Sequence, residues 1–200
     1  MLTALISALL QIGLVLLIAA GAWLATRRRE PFRAFVGLTA APWTAVAAGL
    51  VAGVVLAFLL TRLPAVQTVG AGERSVVGET SGGTMSAGIA VALAIKALLQ
   101  TSLSEELLFR GLIGRNLIRR LGFATGNMIQ AMLFGLAHLL LLLAPGATAA
   151  LVLLVVLFTG GAGWAMGWLN HRKAGGSILP GWAAHGGGNL TAYLLLAFGV

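Results

Sequence analysis

Residues 104–111 read Ser104-Glu105-Glu106-Leu107-Leu108-Phe109-Arg110-Gly111, inside a segment that is otherwise apolar and helix-periodic. Glu105 and Glu106 are the only acidic residues after Glu79. An ionisable group at such a depth is costly unless it is paired or faces water, so within a membrane segment it marks a functional site. On a helix, Glu106 and Arg110 form an i,i+4 pair with the acid on the N-terminal side, the favourable order. Glu105 projects about 100° away from Glu106 and cannot share Arg110 equally. It needs a partner from elsewhere in the chain, and His138 and His185 are the two good candidates.

The surrounding composition explains why that depth is apolar. Of the 200 residues, 59% are hydrophobic and 9% charged, with a mean hydropathy of +0.99. Soluble domains carry about 25% charged residues, so this is an integral membrane protein. The net charge of +8 does not form one stripe; it clusters between apolar segments, which argues against nucleic acid as a partner. The absence of cysteine excludes disulfides, thiolate metal sites and a Cys nucleophile. The first apolar run has no basic residue before it and Arg27-Arg28-Arg29 after it, the pattern of a retained span and not of a cleaved signal peptide.

Taken in order, the chain is expected to be an all-α, polytopic bundle of about six transmembrane helices. Residues 2–26 form the first span and 40–61 the second, rich in small residues suited to close packing. Residues 62–83 are expected to be an irregular loop. The third span starts near Met85 and runs through the Glu-Glu stretch into an amphipathic tail at 112–121. The fourth covers 126–143 and ends at Ala144-Pro145-Gly146; the fifth covers 147–169, with Gly160, Gly161, Gly163 and Gly167 as a packing face. A basic loop, 170–176, leads to the sixth span, 177–198. Two units are expected: residues 1–83, with two spans and an extracytoplasmic loop, and a four-helix core over 84–200.

Loops after spans one, three and five hold nine Lys/Arg, against Arg62 and Arg74 in the others. The positive-inside rule therefore places the first set in the cytoplasm and both termini outside. No inverted repeat of the transporter kind is visible, which weighs against a proton-coupled transporter.

Spans four and six each carry a polar and aromatic stripe at single-face spacing: Asn127, Gln130, Phe134, His138, and Trp182, His185, Asn189, Tyr193. Counted from the cytoplasmic ends at about 1.5 Å per residue, Glu105 lies about 15 Å in, His138 about 18 Å and His185 about 12 Å. One carboxylate and two imidazoles thus share a layer, the makings of a hydrolytic site. Glu105 suits the role of general base on a water that His138 shares, and His185 with Asn189 suit an oxyanion hole. Glu105, His138 and His185 equally match the ligand set of a catalytic Zn²⁺ with an open fourth position, and the residues alone do not decide between the two. Glu106–Arg110 is read as a structural pair orienting Glu105, Lys96 as snorkelling or held by a helix carbonyl, and His171 as solvated in its loop. Gly186-Gly187-Gly188 is either a packing element or a place of close approach.

Glu105-Glu106-x-x-x-Arg110, Phe134-x-x-x-His138 and His185-x-x-x-Asn189, in this order over about residues 90–195, resemble the three motifs of the CAAX protease and bacteriocin-processing (CPBP, or abortive-infection) family. That family includes the type II CAAX prenyl endopeptidases. The resemblance implies an intramembrane endopeptidase acting on membrane-associated or lipidated peptides, in contact with membrane lipid. It assigns water activation to Glu105 and His138 and the oxyanion hole to His185 and Asn189, with Glu106, Arg110 and Phe134 orienting. Metalloprotease and metal-free glutamate mechanisms compete in the family, and the metal-free one is preferred here. The short chain suggests a prokaryotic cell membrane. The alternative is a non-catalytic bacteriocin self-immunity factor or scaffold that keeps the family core.

Overall fold

The computed structural model describes residues 1–26, 30–63, 66–67, 86–139 and 148–198. They form helices and, among the described residues, no strand. In order these are α1 (Leu2–Ala25), α2 (Phe32–Phe35), α3 (Trp43–Leu60), α4 (Ala87–Leu121), α5 (Phe123–Ala137), α6 (Ala149–Lys173) and α7 (Leu179–Phe198). The run Arg27-Arg28-Arg29, most of the expected 62–83 loop, the expected start at Met85 and the chain over 140–147 lie outside the described residues.

Four helices, α1, α3, α4 and α6, are long and apolar enough to cross a bilayer. The fourth expected span is shorter in its described part. Helix α5 has 15 residues and ends at Ala137, so His138 sits at its C-terminal cap instead of mid-helix. The expected basic loop over 170–176 is mostly helix: α6 continues through Lys173, and Asn170 is buried within it. His171 is not merely solvated but stacks on Phe123, with ring centroids 5.1 Å apart.

Helix α4, 35 residues long, is the axis of the bundle. The Ser86 hydroxyl caps its start by accepting from Ile89 N–H, and Gly122, at φ +79°, ends it in the left-handed region open to glycine. Its middle is not a regular α-helix. Residues Ile95–Leu103 and Glu106–Gly114 are π-helical, a wider turn found mostly at functional sites.

Small residues set how closely the others approach. A Cβ on Gly49 would lie 2.3 Å from the Pro180 carbonyl oxygen, and one on Gly53 would lie 2.0 Å from that of Ala184. Helices α3 and α7 therefore touch backbone to backbone, as glycine permits in a membrane where no hydrophobic force drives helices together. Gly135 does the same between α5 and α6, against the Val156 carbonyl; Gly163 and Gly167 of α6 instead leave room for the side chains of Phe134 and Asn127, while Gly161 faces open space. Near α2, the side chains of Val15, Ala19, Phe35, Val36, Leu107, Leu112 and Ile178 form a buried cluster that fixes α1 and the α6–α7 turn against α4.

Gly53→Ala forces the α3 and α7 backbones apart and is expected to destabilise the protein by about 1–3 kcal/mol, the cost of overpacking. Gly13→Ala, with nothing within 4 Å of the added methyl, is expected to be neutral or stabilising because alanine is the better helix former. Thermal unfolding of both variants in one detergent checks the pair. Equal melting temperatures would refute the close-contact account.

Candidate active site

The side-chain stripe of α7 lies along the π-helical part of α4. Trp182 Nε1 donates to the Leu98 carbonyl at 2.8 Å, and Asn189 Nδ2 donates to Ser102 Oγ at 3.3 Å. These bonds fix the rotation of α7, and the rotation aims His185 at the two glutamates.

Glu106 is fully buried. Its Oε1 lies 3.0 Å from Arg110 Nη1 and 3.3 Å from His185 Nδ1. Glu105, on the next face, keeps 23% of its side chain exposed, and its Oε2 lies 3.8 Å from His185 Nε2. That separation is beyond a direct hydrogen bond. The imidazole therefore stands between two carboxylates, one sealed and paired, the other open.

His138 is held differently. Its Nδ1 lies 2.8 Å from the Phe134 carbonyl, and since a carbonyl only accepts, Nδ1 carries the proton. In the neutral ring this leaves Nε2 as the lone-pair nitrogen. The Phe134 side chain is buried at the centre of the group. Its ring meets His138 edge-on at 4.6 Å, His185 at 5.8 Å and Phe109 at 5.1 Å, and the Arg110 guanidinium lies 3.9 Å over its face. Edge-to-face and cation–π contacts are directional, so one phenyl ring orients both imidazoles and the arginine.

The structure thus brings Glu105, Glu106, Arg110, Phe134, His138 and His185 together, while Asn189 stands one turn further along α7 on Ser102. The remaining members of the α5 stripe serve packing. Asn127 donates to the Trp164 carbonyl and Gln130 to that of Gly163, each at 3.0 Å, tying α5 to α6.

Several contributors carry no motif. Gln11 of α1 donates at 3.1 Å to the hydroxyl of Ser104, the residue before Glu105. Ser102 is completely buried beneath Asn189. Asn170 accepts from Gly181 N–H at 2.7 Å beside the Glu106 carboxylate. Ser102 stands four residues before Glu106, a spacing that could have flagged it; Gln11 and Asn170 leave no comparable signal.

The donor set is not drawn together as a three-ligand metal site. Glu105, Glu106, His138 and His185 are all described, and no group of three His, Cys, Asp or Glu able to hold an ion occurs among the described residues. His185 spends Nδ1 on Glu106 and His138 spends its Nδ1 on a carbonyl, which leaves Nε2 of each ring free, that of His185 on the side of Glu105, as the nitrogen a metal would take if one bound.

A family model described as Rce1-like type II CAAX prenyl endopeptidase matches residues 87–191. No curated protein and no solved structure matches the chain. The matched stretch opens at the first residue of α4 and contains all three motifs, hence every side chain gathered around Phe134. The protein, with its four apolar membrane-length helices, belongs to the Rce1-like type II CAAX prenyl endopeptidases of the CPBP family, integral membrane proteases.

Proposed function

We propose that the protein is an intramembrane endopeptidase that hydrolyses peptide bonds of membrane-associated or lipidated peptides without a metal. The observation that carries this reading is the seating of His185 between an open and a sealed carboxylate, with its ring and that of His138 on one phenylalanine. Glu105, the accessible acid, takes a proton from water, and Nε2 of His138 accepts the second hydrogen bond of that water and orients it. The hydroxide attacks the scissile carbonyl. The oxyanion receives hydrogen bonds from Nδ2 of Asn189 and from Nε2–H of His185, a ring that carries a proton on each nitrogen in this step because Nδ1 donates to Glu106. Glu105 then returns its proton to the departing amine as the tetrahedral intermediate collapses. Glu106 and Arg110 do not meet substrate; they hold His185 and the helix in place.

The core in this reading is residues 84–200, with α1 and α3 as its flanking wall. Six crossings, with both termini outside a prokaryotic cell membrane, follow from the loop charges. Contacts support this: Glu30 pairs with Arg115 and Arg119, Arg115 donates to the Gly176 carbonyl, and Arg172 lies over Phe123. The turns after α1, α4 and α6 thus meet at one basic end, the end that the positive-inside rule assigns to the cytoplasm.

The test is cleavage of a membrane peptide library by purified protein in lipid nanodiscs, beside Glu105→Ala, with and without phenanthroline. Cleavage by the wild type that is lost in Glu105→Ala and unaffected by chelator is the expected result. Loss on chelation with recovery on adding Zn²⁺ would replace the metal-free scheme by a metallopeptidase.

A further inference from the structure

We infer that Asn170, on α6, is a positioning residue for Glu106 and through it for His185, an inference that rests on the peptidase reading above. Asn170 is 4% exposed although it is polar and stands next to His171, Arg172 and Lys173 at the basic end of α6. A buried amide of this kind requires partners on both of its ends. The oxygen has one: Oδ1 accepts from the main-chain N–H of Gly181 at 2.7 Å. That bond satisfies one of the orphan donors in the first turn of α7, and it also settles which end of the amide is nitrogen.

The nitrogen faces the carboxylate. A Cβ built on Gly181 would lie 2.6 Å from Asn170 Nδ2 and 2.6 Å from Glu106 Oε2, so both atoms converge on one point beside the Gly181 Cα. Both are buried, and neither has any hydrogen-bond partner in this structure, each other included. Nδ2 can only donate and a carboxylate oxygen only accepts, so the two complement each other. Oε1 of Glu106 is engaged by Arg110 and His185. A small closing shift of the amide lets Asn170 hold the second oxygen and completes a chain from α6 through Glu106 to the imidazole of α7. The missing side chain at 181 is what lets the amide and the carboxylate approach.

Asn170→Asp isolates the donor. The aspartate keeps an oxygen for Gly181 N–H, and a carboxylate in the first turn of a helix is favourable. A residue that merely capped α7 would lose nothing by this change. A positioning residue loses its hold on Oε2, because the donor is gone and a second carboxylate faces Glu106.

The expected result is a kcat reduced about tenfold to a hundredfold, the scale of a small misplacement of reacting groups, with KM within about twofold. A second readout needs no activity. With three histidines in the chain, ¹⁵N-histidine labelling resolves each ring. The Nδ1 resonance of His185 is expected to move in Asn170→Asp while that of His138 stays. Wild-type kcat together with an unmoved His185 resonance overturns the assignment and leaves Asn170 as a cap alone.

If Asn170→Asp does not fold, Gly181→Ala asks the same question from the other side, since its methyl would intrude on both atoms. An unmoved His185 resonance there overturns the assignment equally. Absence of cleavage by the wild type would refute the peptidase reading, and the resonance would still decide whether Asn170 positions Glu106.

Discussion

Glu105→Gln is expected to lower kcat by about 10²–10⁴-fold, the contribution of a positioned general base, while KM and melting temperature stay near wild type. The two glutamates of the motif are chemically alike, and the structure separates them by access. Glu106 has no exposed surface and is taken up by Arg110 and His185. Glu105 keeps 23% of its side chain open and has its nearest protein partner 3.8 Å away. Of the two, only Glu105 has surface through which a water could approach. Glutamine preserves its volume and hydrogen-bonding outline but cannot take up the proton. Because no direct hydrogen bond ties Glu105 to its neighbours, the fold has little to lose. Kinetics and thermal unfolding measured on one preparation check this. Activity within tenfold of wild type would shift the base role away from Glu105.

Arg110→Met is expected to have the opposite profile, a large loss of stability. Arg110 and Glu106 are both buried and 3.0 Å apart, and the guanidinium also covers the Phe134 ring. Removing one partner of a buried ion pair strands the other charge and costs about 3–5 kcal/mol. The loss of the cation–π contact adds about 1–2 kcal/mol in a desolvated setting. Replacing both partners, as in Arg110→Met with Glu106→Leu, is expected to recover most of that stability, since a buried pair exchanged for apolar residues is often neutral. Cleavage is not expected to return, because His185 loses the carboxylate that holds its Nδ1. Unfolding midpoints for the single and double variants form the cycle that measures this coupling. A single variant within 1 kcal/mol of wild type would show the pair to be dispensable.

Polar residues at 3.6-residue spacing inside apolar segments made the two stripes readable, because only one face of a membrane helix can bury them. The Glu106–Arg110 pair was readable for the same reason. The π-helical turns of α4 were not, since an i+4 and an i+5 backbone bond accept the same side-chain pattern. Nor was Asn170, whose neighbours His171, Arg172 and Lys173 give the sequence of a solvated loop although the helix continues beneath them. Its partner Gly181 and the Glu30–Arg119 pair join residues far apart in the chain, and no periodicity reports such pairings. The cap position of His138 was hidden too, since an apolar run continues past it in the sequence.

The backbone contact between α3 and α7 also bears on when the enzyme can first cut. Gly49 and Gly53 are synthesised well before Ala184 and His185, and at about 5–20 residues per second the interval is on the order of ten seconds. In the last part of that interval the nascent chain holds Glu105 and His138 but neither of the groups proposed as oxyanion donors. His185 and Asn189 arrive only with α7, the helix that packs against those glycines. On the proposed peptidase reading, cleavage therefore waits for the last helix.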